Sequence, residues 1–124
     1  MFLVDTSSWI HGLRPEGDPE ARRRLERLLE GGEACWCPLV RLELWNGARG
    51  AHESRVLRDL EARLLDLEID AQVWSLGIDL ARRARAKGLT IPATDIVIAA
   101  CARRHGVGLE HTDEHYDALE KLGD

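Results

Sequence analysis

Phe2-Leu3-Val4-Asp5 decides the fold class, because a short apolar run that ends at a carboxylate predicts a buried strand. The polar triplet Thr6-Ser7-Ser8 follows and is suited to cap a short helix through Trp9 and Ile10. The same alternation of strand and helix recurs along the chain. It predicts right-handed crossovers and a mostly parallel sheet that is covered by helices on both faces.

The rest of the chain supplies three more strands and six more helices. The strands are predicted at residues 34–37, 65–69 and 107–111. The helices are predicted at about residues 18–29, 39–45, 53–63, 71–87, 94–102 and 113–122. The helix at 94–102 is apolar on nearly every side, which places it in the interior. We find no repeat and no linker, so residues 1–124 are expected to form one domain.

Composition is that of an ordinary soluble protein, with 44% hydrophobic and 31% charged residues. No apolar run approaches the roughly 20 residues that span a bilayer, and the first residues lack the basic start of a signal peptide. We therefore expect a cytoplasmic protein that does not contact membranes. The three cysteines are interpreted as buried apolar residues in a reducing compartment. A net charge of −5 argues against a general nucleic-acid coat protein.

Four separated acids are predicted to meet at one edge of the sheet. Asp5 ends the first strand, and Asp113 follows the fourth. Glu43 falls in the second turn of the helix after the second strand, and Asp95 falls in the first turn of the buried helix. Ligands of parallel sheets bind at the carboxyl ends of the strands. If the first and fourth strands are neighbours, the four acids converge.

Such convergence requires a cation. Two carboxylates 4 Å apart repel by about 4 kcal/mol at an effective dielectric constant near 20. Oxygen-only ligands favour Mg²⁺ or Mn²⁺. Each acid also has a purely structural interpretation: Asp5 and Asp113 as helix caps, Asp95 as a first-turn acid and Glu43 as a solvated residue. The joint pattern of all four favours a metal site.

Four segments of the sequence, in this order, resemble the PIN domains, and most closely the VapC-type toxins of toxin–antitoxin pairs. They are residues 2–7, 41–48, 91–100 and 111–116, and together they extend over essentially the whole chain. The resemblance implies a three-layer α/β/α sandwich whose central sheet has four strands, or five as in many relatives. It also implies a homodimer, an antitoxin partner that blocks the site, and endoribonuclease activity against cellular RNA, often tRNA or rRNA. The implied products carry 5′-phosphate and 3′-hydroxyl ends.

Carried over by position, the resemblance makes Asp5, Glu43, Asp95 and Asp113 the metal-site acids, with Thr6, Ser7 and Thr112 as polar support. Direct metal contact is expected from Asp5 and Asp95. Asp113 and Glu43 are expected to hold a second ion or to orient the attacking water. One departure is His111, which stands where relatives commonly have an apolar strand residue.

The sequence also provides candidate residues for contacts with RNA and with a protein partner. Arg14, Arg41 and Arg49 are candidates to hold an RNA backbone near the acids. Trp9, Trp45 and Trp74 could stack bases, although packing is the favoured interpretation. An antitoxin groove is predicted along Trp9, Ile10, Leu42 and Trp45.

Three alternatives stay open. A non-catalytic PIN-like module would bind RNA or protein without cleaving it. A phosphotransfer domain would use Asp5 as its nucleophile, although haloacid-dehalogenase-like enzymes need a second Asp where this chain has Ser7. The spacing of His111 and His115 is that of a helical zinc pair, but no third ligand is evident nearby and His111 is predicted to end a strand.

Overall fold

The computed structural model describes residues 1–123, which form four strands and seven helices. The strands are β1 (Phe2–Val4), β2 (Ala34–Trp36), β3 (Leu65–Asp66) and β4 (Gly108–Glu110). The helices are α1 (Thr6–Leu13), α2 (Pro19–Glu30), α3 (Pro38–Asn46), α4 (Gly50–Arg63), α5 (Ala71–Ala86), α6 (Ala93–Arg104) and α7 (Glu114–Glu120). No helix in this range is long and apolar enough to cross a bilayer.

The sheet is parallel throughout, in the order β3-β2-β1-β4. Phe2 pairs with Ala34 on one side and with Gly108 on the other, so β1 lies between β2 and β4. Strands β2 and β3 lie on one side of β1 and β4 lies on the other, so the strand order reverses between β1 and β4. Parallel sheets bind ligands in the crevice at such a point. The predicted α/β/α architecture and the predicted neighbourhood of the first and fourth strands are confirmed. Within residues 1–123 the sheet has four strands, not five.

The core forms on both sides of this sheet. Trp9 of α1 and Trp36 of β2 are both buried, and their ring centroids lie 5.7 Å apart. The Trp9 indole N–H donates to the Val4 carbonyl oxygen at 3.0 Å, which satisfies its one polar atom. Helix α6 is buried along most of its length, from Ile96 to Ala102, as its all-round apolar sequence predicted. The three cysteines are buried and free, also as predicted.

Local polar contacts explain where the predicted boundaries were wrong. The cap of α1 is Asp5, which accepts a hydrogen bond from the Ser8 backbone N–H, rather than the Thr6-Ser7-Ser8 triplet. Helix α4 begins at Gly50 instead of Glu53 because the Glu53 carboxylate accepts the Arg49 backbone N–H at 2.8 Å. Strand β3 is shorter than predicted and lies at the edge of the sheet, with both of its residues exposed.

Candidate metal centre

Asp5 is a buried carboxylate at the carboxyl end of β1, with 3% of its surface exposed. Its Oδ1 accepts the Ser8 backbone N–H at 3.0 Å, and its Oδ2 accepts the Ser7 hydroxyl at 2.8 Å. Burial raises the pKa of Asp5, and these hydrogen bonds lower it only in part. No Lys or Arg forms an ion pair with Asp5 in residues 1–123. Its negative charge therefore lacks the neighbour that a buried carboxylate requires.

Glu43 is joined to the same edge of the sheet through Thr6. It lies in the second turn of α3, as predicted, and is partly buried. Its Oε1 accepts the Thr6 hydroxyl at 2.7 Å. Since Thr6 directly follows Asp5, this bond fixes the Glu43 carboxylate beside the end of β1.

Asp95 and Asp113 are held together by α7. Asp113 caps this helix and accepts the His115 backbone N–H at 2.8 Å. Asp95, in the first turn of α6, accepts the Tyr116 hydroxyl at 3.3 Å and has 17% of its side chain exposed. His115 and Tyr116, which are adjacent on α7, thus connect Asp113 with Asp95.

Tyr116 shows that the acids surround a common region. Burial raises the pKa of this phenol, and the nearby charges of three acids raise it further: Asp5, Asp95 and Glu43. Tyr116 therefore stays protonated and remains a hydrogen-bond donor to Asp95.

The hydroxyls of Ser7 and Thr112 join the two halves of the site. Their oxygens lie 3.1 Å apart, which connects the residues after β1 with those after β4. Each predicted supporting residue, Thr6, Ser7 and Thr112, thus takes part in a side-chain hydrogen bond at this edge. These side-chain contacts form three separate groups: Glu43 with Thr6, Asp5 with Ser7 and Thr112, and Asp95 with Asp113 through His115.

The sequence suggested His115 only as half of a zinc pair with His111 and did not place it with the acids. Its Nδ1 lies 3.0 Å from Asp95 Oδ2 and 3.2 Å from Asp113 Oδ1. One ligand atom from each of the three residues lies within 4.8 Å of the others. The available signal was its position two residues after Asp113, in the first turn of the predicted last helix.

The zinc pair of His111 and His115 does not form. The His111 Nδ1 accepts the Asp113 backbone N–H at 3.3 Å, and its ring packs against Tyr116 with centroids 5.0 Å apart. His111 therefore supports the loop before α7, whereas His115 points to the acids.

The donor groups fit a hard divalent cation. Carboxylate oxygens dominate the site, and such ligands suit Mg²⁺ and Mn²⁺. A cation would also offset the uncompensated charge of Asp5 and the mutual repulsion of the acids. The buried Asp5 without an Arg or Lys partner is the observation in this structure that favours the fit.

The arginines predicted to hold RNA are engaged in ion pairs. Arg41 bonds to Glu61 at 2.9 Å and to Asp66 at 2.5 Å, and is thereby held against α4 and β3. Arg14 bonds to the buried Glu53 at 3.4 Å. The pair of Arg49 with Glu16 is about two-thirds exposed on both sides. Water weakens an ion pair that is this exposed, so Arg49 is the one most easily released to a phosphate.

The tryptophans divide between core and surface. Trp9 is 1% exposed, so the prediction that it lines an antitoxin groove is wrong, and packing is confirmed as its role. Trp45 is partly buried and donates to Glu61 at 3.2 Å. Leu42 and Trp74 are exposed, at 64% and 53%, and remain available to a partner.

Comparison with known proteins extends these observations. The sequence model of the PIN domain matches residues 2–122. Ribonuclease VapC18 of Mycobacterium tuberculosis is 33% identical over 98% of this chain and 89% of its own length. The VapC ribonuclease Mb1587 of Mycobacterium bovis is 30% identical over 98% of this chain and 93% of its own.

Solved structures share the fold. DNA-bound VapBC from Salmonella typhimurium superposes with a TM-score of 0.74 at 21% identity, covering 98% of this chain and 92% of that one. FitAcB from Neisseria gonorrhoeae gives a TM-score of 0.72 at 24% identity, with coverage of 97% and 94%. At these identities the likeness concerns the fold alone.

Proposed function

This chain belongs to the PIN-domain family, and on that premise we propose that it is a metal-dependent endoribonuclease, the toxin component of a toxin–antitoxin pair. The observation that supports this most directly is the buried Asp5, which has no Lys or Arg partner in residues 1–123, together with the cluster of Asp95, Asp113 and His115. The curated relatives, which match nearly the full chain, are ribonucleases.

The proposed metal-site acids are Asp5, Glu43, Asp95 and Asp113. Asp5 and Asp95 would bind the ion directly, and Asp113 lies beside Asp95 across His115. Bound Mg²⁺ or Mn²⁺ would polarise the scissile phosphate and lower the pKa of a coordinated water.

The remaining side chains position these acids and water. Thr6 occupies one oxygen of Glu43, which leaves the other free to accept a proton from the attacking water. Tyr116 donates to Asp95 and fixes its orientation. Ser7 does the same for Asp5. In-line attack on the phosphate would leave 5′-phosphate and 3′-hydroxyl ends, as in the family.

The proposed substrate is cellular RNA, with tRNA or rRNA as candidates. An acidic pocket repels a polyanion, so cations beside it must hold the backbone. Arg49 suits this task because its ion pair with Glu16 is exposed.

Two protein partners belong to the proposal. An antitoxin would cover Leu42, which is exposed one residue before Glu43. A homodimer is favoured by Trp74 and Ile78, which lie one turn apart on α5 and are 53% and 61% exposed. We place the protein in the cytoplasm, where its three free cysteines stay reduced.

The test is cleavage of total RNA in Mg²⁺, in Mn²⁺ and in EDTA, with mapping of the ends produced. Asp95→Asn should remove cleavage, whereas Asp79→Asn, an exposed acid on α5 with 60% of its side chain accessible, should not. Cleavage that persists in EDTA would contradict the proposal. RNA binding without cleavage in either metal would identify a non-catalytic module instead.

A phosphotransfer role for Asp5 is disfavoured by its surroundings. Both of its oxygens accept hydrogen bonds from Ser7, and only 3% of its surface is exposed. A nucleophilic carboxylate must be reached by a bulky phosphoryl group, whereas a single ion needs only the remaining lone pair of a hydrogen-bonded oxygen.

A further inference from the structure

We propose that His115 is a direct metal ligand of this centre, through Nδ1, and that it makes the centre prefer Mn²⁺ to Mg²⁺. The inference rests on the proposed metal-dependent function and deepens it, because it assigns a nitrogen to a site otherwise built from carboxylates. It also assigns a role to the one histidine that points to the acids.

The positions of three atoms support this assignment. Nδ1 of His115 lies 3.0 Å from Asp95 Oδ2 and 3.2 Å from Asp113 Oδ1. Adjacent ligands of an octahedral ion with bonds of about 2.1 Å are separated by about 3.0 Å. Nδ1 therefore already lies at about this spacing from one oxygen of each acid, and the ligand atoms of all three residues lie within 4.8 Å of one another.

The backbone of His115 is held beside Asp113. Its N–H donates to Asp113 Oδ1, the same oxygen that faces the ring nitrogen. The orientation of the ring is set by the contacts of Nδ1 with the two acids. Its attachment to Asp95 then completes a three-residue cluster, the one group of potential metal ligands found in residues 1–123.

The other ring nitrogen permits the tautomer that metal binding needs. No hydrogen bond in the described part of the chain involves Nε2 of His115, and 37% of the side chain is exposed. Nε2 can therefore keep the proton and face water, which leaves the Nδ1 lone pair for the ion.

The donor chemistry sets the direction of the metal preference. Mg²⁺ prefers oxygen ligands and gives up its waters reluctantly. Imidazole nitrogen favours transition-metal ions, whereas carboxylates accept both Mg²⁺ and Mn²⁺. Adding one nitrogen to a carboxylate set therefore strengthens Mn²⁺ binding more than Mg²⁺ binding.

The test is pulsed electron paramagnetic resonance of the full-length, metal-free protein after addition of Mn²⁺ alone. A nitrogen bonded to Mn²⁺ produces ¹⁴N modulation of the electron spin echo, independently of any cleavage. His115→Asp replaces the imidazole nitrogen by a carboxylate oxygen and should bind Mn²⁺ without ¹⁴N modulation. His52→Asn, an exposed histidine of α4, is the matched control and should give the wild-type spectrum.

Competition between the two ions provides the second measurement. The ratio of the Mg²⁺ to the Mn²⁺ dissociation constant should fall by about 10-fold in His115→Asp, within the range that ligand-shell changes produce. Circular dichroism of each variant verifies that the fold is retained.

The possible outcomes distinguish the role of His115 from the existence of the metal centre. Mn²⁺ bound to wild type without ¹⁴N modulation would overturn the role of His115 and leave the carboxylate centre standing, with the histidine only a hydrogen-bond partner. Modulation that persists in His115→Asp would overturn it as well. Failure of wild type and His52→Asn to bind Mn²⁺ at all would instead contradict the metal centre of the proposed function.

Discussion

Replacement of Asp5 by Asn separates the structural role of this residue from its chemical one. Asp5 caps α1 by accepting the Ser8 backbone N–H at 3.0 Å, and an Asn side-chain oxygen can accept the same bond. The substitution therefore keeps the cap and removes only the negative charge. Asp5→Ala removes both and serves as the comparison.

The magnitudes follow from these contacts. Loss of an N-cap costs about 1 kcal/mol, so Asp5→Ala should melt about 4 °C below Asp5→Asn, which lacks the same charge, at this chain length. Asp5→Asn should not show this loss. Both variants should lose RNA cleavage by at least about 100-fold, since even residues that only support metal ligands contribute 10- to 100-fold.

The pH dependence has a defined sign. Burial raises the pKa of Asp5 in the folded state, so its contribution to stability is fully present below the unfolded-state pKa and is lost as pH rises through the folded-state pKa. In EDTA, wild type should therefore lose stability relative to Asp5→Asn as pH rises from acid to neutral. Added metal should reverse the order at neutral pH, because a ligand at 100 times its dissociation constant stabilises the fold by about 2.7 kcal/mol.

The assay is urea unfolding of the three proteins, in EDTA and in Mn²⁺, beside RNA cleavage by the same preparations. Full cleavage by Asp5→Asn would refute the assignment of this acid to the metal site. Equal responses of wild type and Asp5→Asn to Mn²⁺ would refute the argument that the ion compensates the charge of Asp5.

Three further substitutions test the fold around the site. Glu53→Ala should lower the free energy of unfolding by about 2 kcal/mol, measured with urea, because it leaves the Arg49 backbone N–H without its charged acceptor. Trp9→Phe should cost about 2 kcal/mol in the same assay, since a buried carbonyl of β1 loses its donor; an unchanged midpoint would mean that water replaces the indole. Gly17→Ala should lower the melting temperature by several degrees, because the new Cβ would overlap the His11 backbone oxygen. A melting temperature equal to that of wild type would show that this loop rearranges freely.

The sequence was sufficient for features that depend on local pattern. The apolar run before Asp5 identified β1, and the all-round apolar stretch beginning at Ile96 identified a buried helix. Asp70, a residue type that favours helix N-caps, caps α5 by accepting the Val73 backbone N–H at 3.0 Å. These features follow from periodicity and from capping chemistry, which need no knowledge of distant residues.

Features that depend on tertiary contacts were not predictable in this way. The burial of Trp9 on α1 depends on Trp36, which lies on β2 and is distant in sequence. The orientation of His115 depends on Asp95, an acid of a different helix. Glu53 fits the pattern of an exposed helical residue, yet it is buried because it reaches the backbone at the start of its own helix.

The order of the strands determines when during folding the proposed metal centre can form. Strand β1 can pair with β2 early, but its other edge must wait for β4, and such distant pairing closes slowly because a long loop has to be ordered. Until then Asp95 and Asp113 are absent from the crevice. A chain in which β4 has not yet paired with β1 therefore lacks two acids of the proposed metal centre, and we expect the proposed activity to appear only with the final closure of the sheet.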